Sequence, residues 1–270
     1  LSYFLFLIPY FLFQTSCKTH QHADKKIFHY NEQSGIASLD PAFAKNQAVV
    51  WPVHQLFNTL IELDTNMQLK PSLATSWEIS DNNLSIIFHL RRDVYFHDDA
   101  CFANAKGRLL TANDVVYSFK RIIDKNVASP GAWIFNNRVD SINAFTAIND
   151  STFQLKLSGP FQPMLGILST QYCSVVPHEA VEKYGNDFRR HPVGTGPFSF
   201  VAWEEGQALV LKKNDSYFER DENGTRLPYL DGIKVSFFDS KATEFLEFQQ
   251  GRLDFINDID ASFKDEILTK

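Results

Sequence analysis

The sequence predicts an α/β fold, and three observations carry that prediction. Leu84, Ile86, Phe88 and Leu90 recur at period two behind Trp77 and Ile79, the pattern of a hairpin with one buried face. Val115, Val116, Phe119, Ile122 and Ile123 follow at helical spacing behind Thr111-Ala112-Asn113-Asp114, a capping box with Asp in the usual Glu place. A chain of 270 residues, 44% hydrophobic and 21% charged, is ample for a buried core in one or two domains.

In chain order, Lys26 to Tyr30 begins as a strand, and a Ser34-Gly35 turn leads into Ser38-Leu39-Asp40-Pro41. A helix is expected from Gln47 to Leu60, with Val49, Val53, Leu56 and Leu60 on one face and Pro52 tolerable only near the first turn. The hairpin turns at Ser80-Asp81-Asn82-Asn83, and Trp77 is expected to be a core anchor on its buried face. Phe153, Leu155 and Leu157 form another alternating strand. A second block begins near Tyr172. In it Val175-Val176-Pro177, Ala208 to Leu211 and Ile233 to Phe238 read as strands, Lys241 to Gln250 as a helix stopped by Gly251, and Leu253 to Ile256 as a last strand.

The formal charge is -6, and Lys and Arg are scattered among the acids. Gripping a phosphate backbone needs them concentrated, so nucleic acid is excluded as a partner. Most of the 25 Phe are expected in the core and a few along a ligand cleft, because aromatic side chains dominate both kinds of surface.

Residues 1–17 read as a targeting segment. Tyr3 to Phe13 is an apolar run too short for a bilayer, which takes about 20 residues, and suited to the core of a secretory signal. Thr15-Ser16-Cys17 resembles a lipobox, in which Cys17 would be lipidated and become the mature N-terminus; ordinary cleavage is the other reading. Residues 18–26 are a polar linker, where His20 and His22 read as solvated. Cys101 and Cys173 are either a disulfide, which export would permit, or two separate buried thiols.

No catalytic constellation stands out. His97-Asp98-Asp99 reads as a strand-to-helix corner, since a metal site needs further converging ligands, and there is no Gly-x-Ser-x-Gly elbow. Gly194-Thr195-Gly196-Pro197-Phe198 lacks the Lys and Ser or Thr of a phosphate loop. Its glycines are expected to allow positive φ in a tight turn, and its amides are open to a structural role alone or to a ligand as well.

Several segments together carry a resemblance. They are Ser38-Leu39-Asp40-Pro41, Pro71 to Trp77, Leu90-Arg91-Arg92, Phe96-His97-Asp98, Ala112 to Ser118, Ala128-Ser129-Pro130, Gly194 to Phe198 and Gly251-Arg252-Leu253-Asp254. In order and spacing they resemble the signature of the family 5 extracytoplasmic solute-binding proteins, the peptide-binding components of ABC importers. The resemblance implies a type II, periplasmic-binding-protein-like clamshell of which this chain is lobe one, an N-terminal fragment with the second lobe missing. Residues 27–50 and 171–260 would form an α/β subdomain, 51–170 an inserted α+β subdomain, and 261–270 the start of the crossing.

It further implies a monomeric receptor in the cell envelope, held to the membrane by its lipid and facing the periplasm or exterior. Such a receptor has no enzymatic activity or cofactor, and captures an oligopeptide or dipeptide for ABC permease subunits. Nickel complexes, haem and oligosaccharides are alternative cargoes, and a secreted hydrolase or a purely structural lipoprotein are rivals of another class. By the same resemblance the ligand-facing residues are Gly35, Ile36, Ala37, Ser38, Ala132, Trp133, Thr170, Gln171, Tyr172, Thr195 and Gly196. Trp133 and Tyr172 are equally readable as core.

Overall fold

The computed structural model describes residues 25–264; the targeting segment, Cys17, His20 and His22 lie outside the described residues. Ile27–Asn31 (β1) runs parallel to Gly232–Ser236 (β10), with Ile27 opposite Gly232. Ala208–Lys213 (β9) and Phe198–Glu204 (β8) continue that sheet antiparallel, in the order β1-β10-β9-β8. Leu209 and Leu211 of β9 point into the core while Lys212 is exposed, the half-buried alternation that singled out this strand in the sequence.

Gln47–Leu56 (α1) is capped by Asn46, whose side chain accepts the Val49 amide at 3.2 Å. It is shorter than the expected helix, and Phe57 is already extended at φ -133°. The reason lies in the backbone that follows. The Asn58 carbonyl accepts the Val175 amide, the Thr59 carbonyl that of Leu73, and the Leu60 carbonyl those of Ser72 and Ala74. These buried groups are satisfied by distant segments only if residues 58–60 leave the helix.

A short hairpin, Ile61–Leu63 (β2) and Leu69–Pro71 (β3), leads into a second sheet. Its strands are Ala74–Ile79 (β4), Ser85–Leu90 (β5), Phe145–Asn149 (β6) and Thr152–Lys156 (β7), all antiparallel in the order β4-β5-β7-β6. Ala112–Ile123 (α2) lies across β6 and β7. Its capping box forms as expected, the Asp114 carboxylate accepting the Thr111 amide at 2.8 Å. Phe119 of α2 sits amid Phe135, Phe145 and Phe153, with ring centroids 5.1 to 5.6 Å away. One continuous core runs from Tyr30 and Leu39 through Phe57 and Leu73 to Phe119 and Phe153.

Several expectations are corrected. Trp77 is only half-buried and Ile79 is 48% exposed, because β4 is an outer strand of its sheet. Trp77 does stand opposite the buried Phe88, so the face was read correctly but not the depth. Val175 to Pro177 is no strand. It is a buried extended segment whose amides go to two different elements, Val175 to the Asn58 carbonyl and Val176 to Ser118 Oγ. Leu253 to Ile256 contributes one bridge, Phe255 to Tyr30. The helix Lys241–Gln249 (α5, following Met164–Leu168, α3, and His178–Tyr184, α4) ends before Gly251 at φ 67°, as expected.

Cys101 and Cys173 are free thiols, and burial pushes both up to about 12, which makes them poor nucleophiles. No helix among the described residues is long and apolar enough to cross a membrane.

Candidate functional site

Three of the four segments expected to face a ligand gather around the turn Pro41–Phe43, the first of them through Ser38 alone. Asp40 caps the turn Pro41–Phe43 by accepting the Ala42 amide at 3.0 Å. The Ala42 carbonyl in turn accepts the Ser129 hydroxyl at 2.5 Å. Ser129 starts the turn Pro130–Ile134, accepting the Gly131 amide at 3.0 Å. Gly131 lies so close to Tyr172 that a Cβ there would stand 2.6 Å from the ring, so only glycine fits. The turn Gln171–Cys173 also packs on Pro41–Phe43.

Along this rim, Gly35 takes φ 68° and Ala37 is exposed, while Ile36 and Ser38 are buried. Ala132, Thr170, Gln171 and Tyr172 are half-buried. Trp133 is 47% exposed, which removes it from the core. Arg138 holds it there, donating to the Trp133 carbonyl with its guanidinium 5.7 Å from the indole centroid.

Thr195 and Gly196 lie apart, at the C-terminal end of α1. Thr195 is 1% exposed and its hydroxyl donates to Asn58 Oδ1 at 3.0 Å. The Gly196 amide donates to the Leu56 carbonyl, and its carbonyl accepts from His97 Nε2 and Asn214 Nδ2, both at 2.9 Å. Both residues thus belong to an internal clamp. The glycines are also corrected in kind, since positive φ is not what they supply. A Cβ on Gly194 would meet the Leu56 carbonyl oxygen at 2.1 Å, and one on Gly196 the Gln55 carbonyl oxygen at 2.5 Å. Close approach of two backbones is the requirement.

His97 closes that clamp. The Gly194 amide donates to Nδ1 at 3.4 Å, so Nε2 carries the proton given to the Gly196 carbonyl. Its neighbours are spent locally: Asp98 on Lys106 and the Gly107 amide, Asp99 on Tyr184 Oη and the Cys101 amide. Asp114, His178 and Glu179 gather ligand atoms within 4.8 Å, but the Arg108 guanidinium already bridges Asp114 and Glu179 at 2.5 to 2.8 Å. That cation supplies the charge a metal would bring.

Burial pushes the His97 imidazole down from 6.5 to about 4, against the opposing pull of the Gly196 carbonyl and Asp98. Below pH 6.5 the unfolded chain takes up a proton that the folded chain refuses until about pH 4. Stability is therefore present above that window and lost through it as pH falls, by up to ~3 kcal/mol. Urea midpoints of the parent should drop more steeply between neutral pH and pH 4 than those of His97→Gln, and parallel curves would remove His97 as the cause.

The residues sequence reasoning missed are Asp40 as an ion-pair partner, Arg121 and Ser129. Arg121 of α2 makes a two-pronged pair with Asp40 at 2.6 and 2.8 Å. No local spacing links residues 81 apart; the only signal was the turn chemistry of Ser38-Leu39-Asp40-Pro41 and Ser129-Pro130.

Comparison with known proteins identifies the family. The family model described as bacterial extracellular solute-binding proteins, family 5 Middle, matches residues 68–270. The peptide transport periplasmic protein SapA of Salmonella typhimurium is 33% identical, over 71% of this chain and 37% of its own length. Heme-binding protein A of Haemophilus influenzae is 30% identical, over 75% of this chain and 38% of its own. Among solved structures, the ABC transporter-associated periplasmic binding protein DppA from Helicobacter pylori, in complex with peptide STSA, superposes with a TM-score of 0.79. It is 26% identical, over 91% of this chain and 49% of its own. The chain spans less than half the length of each of these proteins.

Proposed function

Because the chain belongs to the bacterial extracellular solute-binding proteins of family 5, we propose that it captures peptides outside the cytoplasmic membrane and delivers them to an ABC permease. The observation that carries the peptide reading is the gathering of Ser38, Ala132–Trp133 and Thr170–Tyr172 around the turn Pro41–Phe43, a rim built from turns and fronted by an exposed indole. Turns present backbone amides and carbonyls, which pair with an extended ligand whatever its side chains, while an aromatic face covers apolar ones. The superposition with a relative holding a tetrapeptide supports the same reading. A second wall, supplied by a further lobe, would bury the ligand on closure.

Native mass spectrometry of the gently purified whole protein is expected to show a ladder of co-purifying peptide masses. A single haem or nickel-complex mass would overturn the peptide reading, and turnover of ester or glycoside substrates would overturn the receptor reading itself.

The reading includes a lipid anchor at Cys17, supported by the apolar run that ends just before it and the polar residues after it. Metabolic labelling with a clickable fatty acid should mark the parent protein and leave Cys17→Ser unmarked. Label persisting in Cys17→Ser would refute lipidation at that residue.

A further inference from the structure

We propose that the buried Asp40–Arg121 pair and the Ser129 hydroxyl are positioning residues for ligand capture: they hold the three rim segments in one arrangement without touching the ligand. This rests on the reading of those segments as ligand-facing. Asp40 and Arg121 side chains are 5% and 12% exposed. Each Asp40 oxygen takes one prong of the guanidinium, and Oδ1 also accepts the Ala42 amide. The Asp40 amide donates to Ser38 Oγ, inside the first rim segment. Through the Ala42 carbonyl the network passes to Ser129, and from Ser129 to the turn that carries Ala132 and Trp133. Gly131 then presses on Tyr172 of the third segment.

Stability alone does not account for this construction. A buried ion pair is often replaceable by apolar side chains of similar volume at no loss. Here the guanidinium lies 5.6 Å from the Phe188 ring centroid, and its Nε–H is buried with no acceptor. A hydrogen bond is forgone while the two-pronged fork on Asp40 is kept, and a fork fixes both distance and angle as an apolar contact does not. What the pair supplies is geometry, and that geometry joins α2 to the rim.

The test uses the whole protein in four forms: the parent, Ser129→Ala, the paired apolar swap Asp40→Leu with Arg121→Met, and Ile86→Val, a buried change in β5, as a baseline that lowers stability away from the network. The paired swap is needed because either single change strands a buried charge. Hydrogen exchange without ligand is read at the Leu39 and Cys173 amides, which bond to the Arg189 and Thr170 carbonyls and to none of the altered side chains. Exchange there is expected to be about tenfold faster in Ser129→Ala and in the paired swap than in the baseline. Titration with synthetic Ser-Thr-Ser-Ala should show an affinity loss of about tenfold in the same two forms while the baseline keeps parental affinity.

Exchange and affinity equal to the baseline would overturn the proposal. Affinity lost with exchange unchanged would also overturn it, because the side chains would then be acting on the ligand directly. If the parent takes up no peptide, the proposed function fails, and the exchange rates alone still decide whether the network positions the rim.

Discussion

Gly194→Ala is expected to be severely damaging for a single added methyl, lowering stability by ~3 kcal/mol. The new Cβ would sit 2.1 Å from the Leu56 carbonyl oxygen and 2.6 Å from the Phe57 ring. Neither can give way. The Leu56 carbonyl is held by the Gly196 amide, and Phe57 is fully buried. The clamp would have to open, carrying with it the bond from the His97 amide to the Gly194 carbonyl at 2.8 Å. For a domain of this size the thermal midpoint should fall by about 6 to 12 °C. Gly159→Ala is the control, since a Cβ there meets nothing within 4 Å. If both variants melt within about 2 °C of the parent, on the order of 1 kcal/mol, close approach at Gly194 is not what the fold requires.

Phe119→Ala is expected to cost a similar amount for the opposite reason, a cavity in place of a collision. Phe119 is fully buried and meets the Phe153 ring edge-on at 5.4 Å and the Phe135 and Phe145 rings at 5.1 and 5.6 Å. Truncating a core Phe typically costs about 3 to 5 kcal/mol, lost transfer energy plus the unfilled volume. Three rings that also contact one another or the sheet are poorly placed to collapse into the space. Phe119→Leu should recover most of the loss. Urea midpoints at unchanged slope are the measurement, and a loss below about 1.5 kcal/mol for the Ala variant would mean that the surrounding rings repack.

How legible these features were depended on the range over which they are determined. The β5 strand was readable because Ile86, Phe88 and Leu90 face a core while Ser85 and His89 do not, a pattern written in six consecutive residues. The Thr111 and Asp114 cap was readable for the same reason. The Val175 to Pro177 segment was not, because an apolar run looks like a strand whether its amides enter a ladder or are taken by Asn58 and Ser118. Trp77 failed on a topological fact, that among the described residues β4 has no sheet neighbour on one side.

At the site, the turn chemistry around Asp40 and Ser129 was visible but not its convergence. Arg121 reaches Asp40 only because α2 is laid against the rim by a sheet formed elsewhere. The Gly194 and Gly196 pair was noticed for the right residues and the wrong reason. A glycine needed for space and one needed for positive φ are the same letter.

The pairing of β1 with β10 also sets a timetable. The first strand leaves the ribosome about 200 residues ahead of its partner, and at ~5 to 20 residues per second that is a wait of roughly 10 to 40 s. Strands β4 to β7 find all their partners within residues 74–156 and are complete as they emerge. During that interval β1 is an unsatisfied edge with apolar Ile27, Phe28 and Tyr30, open to pairing with whatever strand arrives first. Synthesis order alone therefore gives the newborn chain an apolar strand edge that the finished fold has paired.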